Sequence, residues 1–482
     1  MLLSELTGFD GPPVTVSGLA YSSRAVRPGT LFFCVRGFNA DGHDFAPEAV
    51  AGGASALVCE RSLGLGVPEL IVPDVRAAMG PLAARFHRYP SRRLAVCGIT
   101  GTNGKTTTAF LVRDLLEASG TQTGMLGTVK SVVGGVEEPV QRTTPEAIDI
   151  QESLHRMVET GDLAAAIEVS SHALALGRTD GVEFRCRVFT NLTPEHMDFH
   201  STMEDYYLAK RKLFDSPGPA IVNLDDPYGE RLAGELDVVT TFGIDSAAAD
   251  YRAVDVSFDW SGSRFRCLAL DGTVEVRTRL PGRFNVLNAL GAIAAAVELG
   301  AELAEAAAAL AQAERVPGRF EPIDVGQDFG VLVDYAHTPD SVENVLRAAR
   351  ELAEGRLHVV LGAGGDRDRA KRPLMGAAAG ALADRVIVTS DNPRSEDPAA
   401  IVAEVLAGVP GGAEREIDRR AAIELALSTA RPGDIVVVAG KGHEQGQEFE
   451  GGRIQPFDDR AVVREVLRGL AGAERQSPYS PR

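Results

Sequence analysis

The sequence predicts an α/β protein with more than one domain, and three observations carry that expectation. An apolar run, Leu94-Ala95-Val96-Cys97-Gly98-Ile99, leads into a glycine-containing turn and then a helical stretch, the strand–turn–helix order of a phosphate loop. The last third alternates short apolar runs with helical patterns, as in a doubly wound parallel sheet. At 482 residues the chain exceeds what one hydrophobic core serves, so two to three domains are expected.

Composition narrows the partners. Hydrophobic content of 44% and charged content of 24% are those of a soluble globular protein. A net charge of −18 argues against broad contact with nucleic acid or an anionic membrane, so any anionic substrate must be met by a local cluster of Arg and Lys. Five scattered cysteines without metal spacing read as buried free thiols. With no leader-like or membrane-length apolar segment, the expectation is a cytoplasmic protein.

The first ninety residues mix short strands (30–35, 56–59, 70–72) with helices near 45–51 and 75–89, and Pro90 marks a boundary. Ser22-Ser23-Arg24 and Asn39-Ala40-Asp41-Gly42-His43 read as turns. The phosphate loop follows as Gly101-Thr102-Asn103-Gly104-Lys105-Thr106-Thr107, with a helix over 106–119 and Gly120 closing it. Ile99 stands where the generic pattern has its first glycine, so this is a shorter form. Backbone N–H groups and the helix N-terminus suit phosphate oxygens, Lys105 adds a charge at the β/γ-phosphates, and Thr106 a hydroxyl for Mg²⁺.

Further along, Leu163 to His172 is an apolar run ending in Glu168-Val169-Ser170-Ser171-His172. Glu168 reads either as a Mg²⁺ ligand at a strand tip or as a capped strand end. Val188 to Asp198 is a second strand delivering polar residues to its carboxyl end, among them His196, which could meet a metal or phosphate or be structural. Thr202 starts a helix that carries Lys210, by its residues alone a solvated helix lysine. Asn285 and Asn288 open a long Ala-rich helix and could read an adenine edge or serve as caps.

The last third has strands at 330–335, 357–362, 385–389 and 434–439 and helices near 339–352, 372–383, 397–406 and 418–429. Its strand tips hold Asp334 to Pro339, Gly364 to Arg369, Asp391-Asn392-Pro393-Arg394 and Gly440 to Glu444. Arg319, Arg367, Arg369, Lys371, Arg372 and Arg394 form a basic set on an acidic protein, suited to a zwitterionic amino acid or a phosphate. The tail from about Gly472 is Pro/Ser-rich and is expected to be disordered.

Gly-Ile-Thr-Gly-Thr-Asn-Gly-Lys-Thr-Thr-Thr, Glu-Val-Ser-Ser-His, Asn-Leu-Thr-Pro-Glu-His-Met-Asp, Asp-Tyr-Ala-His-Thr-Pro-Asp and Asp-Asn-Pro-Arg, in that order, resemble the Mur ligase family, and in particular its branch that adds the third peptide residue of the peptidoglycan precursor. The resemblance spans Ser22 to Glu444 and implies three domains: 1–90 for a UDP moiety, 91–316 as the ATPase, and 317–482 as a Rossmann-like amino-acid domain. It implies ATP and Mg²⁺ as cofactors, and UDP-N-acetylmuramoyl-L-Ala-D-Glu and a diamino acid as substrates, in a monomer without nucleic-acid or membrane partners. By family pattern Ser23 and the Asn39–His43 loop lie near the uridine diphosphate, and Thr143, Thr144, Ser170 and Arg178 near the rest of that substrate. Glu168, His196 and Thr106 would hold Mg²⁺ with Lys210 as a carbamate, which reverses the reading of Lys210 from its residues alone. Lys105, Lys210 and His196 are the catalytic candidates. Asn285 and Asn288 would meet adenine, and Arg319, Asp334 and His337 the ATP. Arg367, Asp391, Asn392, Pro393, Arg394, Gly440 and Glu444 match the diamino-acid positions.

Two departures stand out: the family's Asp-Ser-Arg is here Ser22-Ser23-Arg24, and Leu176 replaces a Gln found in some relatives. The expected chemistry is amide formation through an acyl phosphate. Arg394 favours meso-diaminopimelate, because a guanidinium fork binds its distal carboxylate and repels the terminal ammonium of lysine or ornithine. Alternatives are the same ligase acting on L-lysine, L-ornithine or the LL isomer, a folylpolyglutamate-synthase-like ligase, and a non-catalytic nucleotide-binding sensor.

Overall fold

The computed structural model describes residues 1–37, 40–140, 142–216 and 218–476. Its strands form three main sheets that follow one another along the chain, plus a small two-stranded hairpin. The first sheet is parallel throughout, in the order Gly18–Ala20, Thr30–Phe33, Ala54–Cys59, Glu69–Ile71. The expected strand to Val35 stops at Phe33, where the Val35 N–H turns back to the Phe33 carbonyl. The helix that follows, Val75–Phe86, is capped by Asp74, whose carboxylate accepts from the Arg76 and Ala77 N–H groups. It ends three residues earlier than the sequence suggested: Arg88 and Tyr89 take left-handed backbone angles, and Pro90 excludes right-handed helix at the residue before it.

The second sheet has eleven strands. Seven consecutive neighbours run parallel: Tyr251–Asp259, Val239–Gly243, Ala220–Asn223, Cys186–Phe189, Ala95–Thr100, Ala164–Glu168 and Thr123–Leu126. Antiparallel strands extend both edges, Gly262–Ala269 and Gly272–Thr278 on one side, Ser131–Val133 and Val136–Glu138 on the other. Strands such as Ala164–Glu168 are buried along their whole length because helices cover both faces. Lys105–Ala118 and Arg283–Glu298 pack on one face, Ala147–Thr160 and Met203–Arg211 on the other. Gly262–Ala269 and Gly272–Thr278 alternate buried and exposed residues along part of their length, and none of the antiparallel edge strands is among the elements expected from the sequence.

The third sheet is the doubly wound unit, in the order Glu321–Pro322, Gly330–Asp334, Ile435–Ala439, Leu357–Ala363, Arg385–Ser390, Glu414–Arg415. Only its first, two-residue strand is antiparallel. Pro339–Leu352, Lys371–Leu382 and Pro398–Leu406 cover one face, Arg419–Thr429 and Asp459–Gln476 the other. The strand order reverses beside Ile435–Ala439, so the tips of the central strands converge on one crevice. The tail expectation needs correction: the last helix runs to Gln476, beyond Gly472, and residues 477–482 lie outside the described residues.

All five cysteines are buried and free, as expected. Among the described residues no helix is long and apolar enough to cross a membrane. Beneath the tips of the third sheet lies a fully buried ion pair. Arg419 Nε and Nη2 reach Asp459 Oδ1 and Oδ2 at 2.7 and 2.6 Å, and Nη2 also donates to the Ala439 carbonyl at 3.0 Å. Removing one partner strands the other charge in the core. Asp459→Ala is therefore expected to cost about 3–5 kcal/mol of unfolding free energy by urea denaturation, whereas Glu465→Ala in the exposed pair Arg420–Glu465 should leave the urea midpoint unchanged.

Candidate functional site

The turn after strand Ala95–Thr100 is held on two sides. Thr102 N–H donates to the Asn191 carbonyl, and the Asn103 N–H to Asn191 Oδ1. Gly104 has φ +87°, and a Cβ there would lie 2.4 Å from Asn288 Oδ1, so glycine is required. Lys105 begins the helix and folds back, donating to the carbonyls of Gly101 and Thr102 at 2.8 and 2.7 Å. Gly101, Thr102, Thr106 and Thr107 complete the loop, whose helix N-terminus faces an open cleft.

Glu168 ends its strand as expected and is fully buried. One carboxylate oxygen accepts from Thr106 Oγ1 and Thr128 Oγ1, both at 2.9 Å, and the other from the Thr128 N–H at 2.7 Å. Arg319 Nη2 donates to Thr106 Oγ1 at 3.1 Å, bringing a cation from the third domain to the same point. His196 lines this cleft with a left-handed backbone, φ +58°. Burial, reinforced by nearby His172, Lys210 and Lys105 against the attraction of Glu195, lowers its pKa to about 3, so the imidazole is neutral at physiological pH. A hydroxyl, a carboxylate and a neutral imidazole are the side-chain donors that could hold a divalent cation here. Among the described residues no three His, Cys, Asp or Glu side chains gather into a metal-holding group, so the phosphates would have to supply much of the coordination.

Lys210 requires a correction. It is no solvated lysine: only 1% of it is exposed, its Nζ donates to the Gly101 carbonyl at 2.8 Å, and it lies over the Tyr206 ring. Helical spacing alone did not reveal that this face turns into the phosphate loop. Burial first, then repulsion from Lys105, which shares the same carbonyl, holds its pKa well below that of an ordinary lysine.

Glu195 was quoted within a motif but assigned no role. Its buried carboxylate lies 3.1 Å from His337 Nε2 and 3.6 Å from His196 Nε2; burial works against ionisation, but those histidines and Lys105 hold its pKa well below the usual range. His337 Nδ1 lies 2.8 Å from the Tyr335 carbonyl. Both of its nitrogens thus face acceptors.

The nucleotide-side cleft is lined by Asn103, Gly104, Thr107, Asn288, Arg319, Asp334 and His337, together with Phe242, Phe284 and Leu287. Asn285 does not line it. Its amide donates to the Pro281 carbonyl and accepts from Asn288 Nδ2, so it orients Asn288 and is closed to an adenine edge. Neither amide caps the helix, whose N-cap is Gly282. Asp334 accepts from the N–H groups of Phe320 and Ala336, and burial raises its pKa.

On the other side the phosphate cleft opens to one lined by Arg367, Lys371, Asp391, Asn392, Arg394, Gly440 and Glu444, with Thr143, His196, Tyr335 and His337 shared between the two. Gly440, φ +120°, passes so close to Asp391 that a Cβ would sit 2.4 Å from its Oδ2. Pro393 closes the turn by accepting from the Glu396 N–H. Buried Lys441, not singled out from the sequence, ties Asn392 Oδ1 and Glu444 Oε2 at 2.8 and 2.9 Å. The basic set divides: Arg372 is buried against Glu396 and Glu404, and Arg369 lies on the surface beside Glu404, so neither reaches the cleft. Sequence could not distinguish these two from Arg394, because the distinction lies in which acids the fold places opposite.

Thr144 Oγ1 donates to the Glu168 carbonyl, and Ser170 caps the next helix through Ala173 N–H. The Thr143 and Thr128 hydroxyls lie 3.1 Å apart, with Thr143 free to donate because the Thr128 hydrogen is given to Glu168. Arg178 reaches the Thr144 carbonyl and Glu146. In the first domain, Ser23 Oγ donates to Glu48 Oε2, while Ser22 is an N-cap whose hydroxyl makes no capping hydrogen bond. His43 is 2% exposed, with Nδ1 against Asp41 and Nε2 accepting from the Glu60 N–H. Its imidazole sets the loop and offers nothing to a uridine; Asn39 and Gln141 lie outside the described residues.

These features define a phosphate-binding α/β protein whose nucleotide cleft continues into a charged cleft at the tips of a doubly wound sheet. Three family models match in order: the Mur ligase family catalytic domain over residues 15–87, the Mur ligase middle domain over 99–296, and the Mur ligase glutamate ligase domain over 318–442. The chain belongs to the Mur ligase family. It is 45% identical to the UDP-N-acetylmuramoyl-L-alanyl-D-glutamate--2,6-diaminopimelate ligase of Syntrophomonas wolfei, covering 95% of this chain and 96% of that one. To the protein of the same name from Streptomyces avermitilis it is 47% identical over 98% and 97%. A solved structure of a ligase with that name superposes with a TM-score of 0.69 at 34% identity, covering 98% of this chain and 99% of its own.

Gly104→Ala should force Asn288 away and strain the loop by about 1–3 kcal/mol. The expected result is at least tenfold weaker ADP binding by calorimetry with an unchanged far-UV circular dichroism spectrum.

Proposed function

We propose that this chain is the ATP-dependent ligase that adds meso-2,6-diaminopimelate to the D-glutamate of UDP-N-acetylmuramoyl-L-alanyl-D-glutamate in peptidoglycan precursor synthesis. The observation that carries the reading is the continuity of the clefts. The phosphate loop opens on one side to the nucleotide cleft and on the other to the cleft holding Arg394, Asn392 and Glu444. The names of the full-length relatives support the same substrates.

In this reading Thr143, Thr144, Ser170 and Arg178 hold the muramoyl dipeptide, and Ser23 lies near its uridine end. The D-glutamate side-chain carboxylate attacks the γ-phosphate, ADP leaves, and an acyl phosphate forms. The amine of the diamino acid, in its neutral form, then attacks the acyl carbon, phosphate leaves from the tetrahedral intermediate, and the surplus proton on nitrogen passes to water or to the departing phosphate. The first step brings two anions together and the second develops an oxyanion beside phosphate, so Lys105 and Arg319 at the phosphate loop and the loop's N–H groups act by charge and position. Bound through Thr106, Glu168 and His196, Mg²⁺ would neutralise phosphate charge. Lys210, a buried amine with a depressed pKa, is suited to carbamate formation, and an anion there relieves its repulsion with Lys105. His337 holds both ring nitrogens against acceptors, Glu195 and the Tyr335 carbonyl, and orients the Glu195 carboxylate at the edge of the cleft. Asp391, Asn392 and Glu444 meet the reacting amino-acid end, and Arg394 the distal carboxylate.

Phosphate release from ATP should require both the muramoyl dipeptide and meso-diaminopimelate, with L-lysine, L-ornithine and the LL isomer poor substitutes. Release with lysine or ornithine in preference would overturn the specificity reading, and release with no diamino acid would overturn the ligase. Arg394→Ala should weaken use of meso-diaminopimelate by about 2 kcal/mol or more in kcat/KM.

A further inference from the structure

Arg394 is held in an unusual pose. Its backbone is left-handed, φ +52°, a conformation that costs a bulky residue energy unless its surroundings impose it. Those surroundings come from the small hairpin Gly446–Phe449 and Arg453–Pro456, which the sequence motifs do not include. Residue Glu448 touches the Asp391–Arg394 loop with three separate groups. Its N–H donates to Asn392 Oδ1 at 3.0 Å, its carbonyl accepts from the Arg394 N–H at 3.0 Å, and its Oε2 accepts from Arg394 Nε at 2.8 Å. Next to it, Gln447 Nε2 donates to the Asp391 carbonyl at 2.8 Å. On the opposite side Arg394 Nη1 donates to the Gly365 carbonyl at 2.6 Å.

The guanidinium is thus gripped at Nε and at one Nη1 hydrogen. Arg394 lines the amino-acid cleft and Glu448 does not. We propose that Glu448 is a positioning residue for diamino-acid specificity: it fixes the guanidinium plane so that the Nη hydrogens left over meet a distal carboxylate as a preformed fork. The hairpin is then the template that shapes the Asp-Asn-Pro-Arg loop from outside. A guanidinium already held in plane loses less freedom on binding than a free side chain, which is where the affinity comes from. This proposal rests on the reading of Arg394 as the group that binds the distal carboxylate.

The test compares Glu448→Ala and Glu448→Gln with wild type and Arg394→Ala, using phosphate release with meso-diaminopimelate and ATP varied separately. The Glu448–Arg394 pair is partly exposed, so a five- to tenfold rise in KM for meso-diaminopimelate is expected in Glu448→Ala, roughly 1 kcal/mol. The KM for ATP and kcat should stay within about twofold. Glu448→Gln, whose amide oxygen still accepts from Nε, should recover most of the wild-type KM. Equal loss in Gln and Ala variants would overturn positioning in favour of direct contact between the Glu448 charge and the substrate ammonium. Matched falls in kcat and ATP affinity would overturn it in favour of general disruption of the domain. If Arg394→Ala leaves the diaminopimelate KM unchanged, the reading of Arg394 fails first, whatever the Glu448 variants do.

Discussion

A carboxylate buried at the carboxyl edge of a parallel sheet must find donors, and Glu168 finds three within 2.9 Å, from Thr106 and Thr128. That requirement organises the centre of the molecule. It pins the start of the phosphate-loop helix to the tip of the neighbouring strand and draws in the segment after strand Thr123–Leu126. Through the hydroxyl of Thr106 it meets Arg319 from the third domain. A single acidic side chain therefore couples the loop that would hold phosphates, the strand that would hold a metal, and the domain that must close over both.

The second organising feature is like charge brought together. Lys105 and Lys210 donate to one carbonyl oxygen, Gly101, at 2.8 Å each, with Glu195 the nearby acid that offsets them. Such crowding is costly unless an anion arrives, whether as phosphate or as a modified lysine. In the third domain the buried cations are instead met by acids: Lys441 lies among Asn392, Glu444 and Asp391, and Arg419 is held by Asp459 behind the strand tips.

Contacts across the domain junction are both apolar and polar: Phe284 packs on the third-domain core, edge to face with Phe320 at 5.5 Å between ring centres. Asp340 Oδ2 accepts from Asn103 Nδ2 and Thr193 Oγ1, His337 meets Glu195, and Arg319 meets Thr106. Each links the third domain to the phosphate loop or to the segment bearing His196.

The amino-acid sequence by itself determined the α/β class, the phosphate loop and its helix, the strand ending in Glu168, and the doubly wound alternation of the last third. These are local matters: hydrophobic period, caps and glycine turns are written within a few residues of where they act. Thr202 as an N-cap and the helix Pro339–Leu352 were legible for that reason. Tertiary structure alone decided which charges are buried and what they face. It turned Lys210 inward, set Asn285 behind Asn288, closed both nitrogens of His43, separated Arg372 from Arg394, and brought Glu448 against a loop more than fifty residues away. The antiparallel edge strands likewise took their place from the neighbours they pair with rather than from any motif. Burial and pairing of polar groups depend on residues distant in the chain, and their energies are set only when those residues meet.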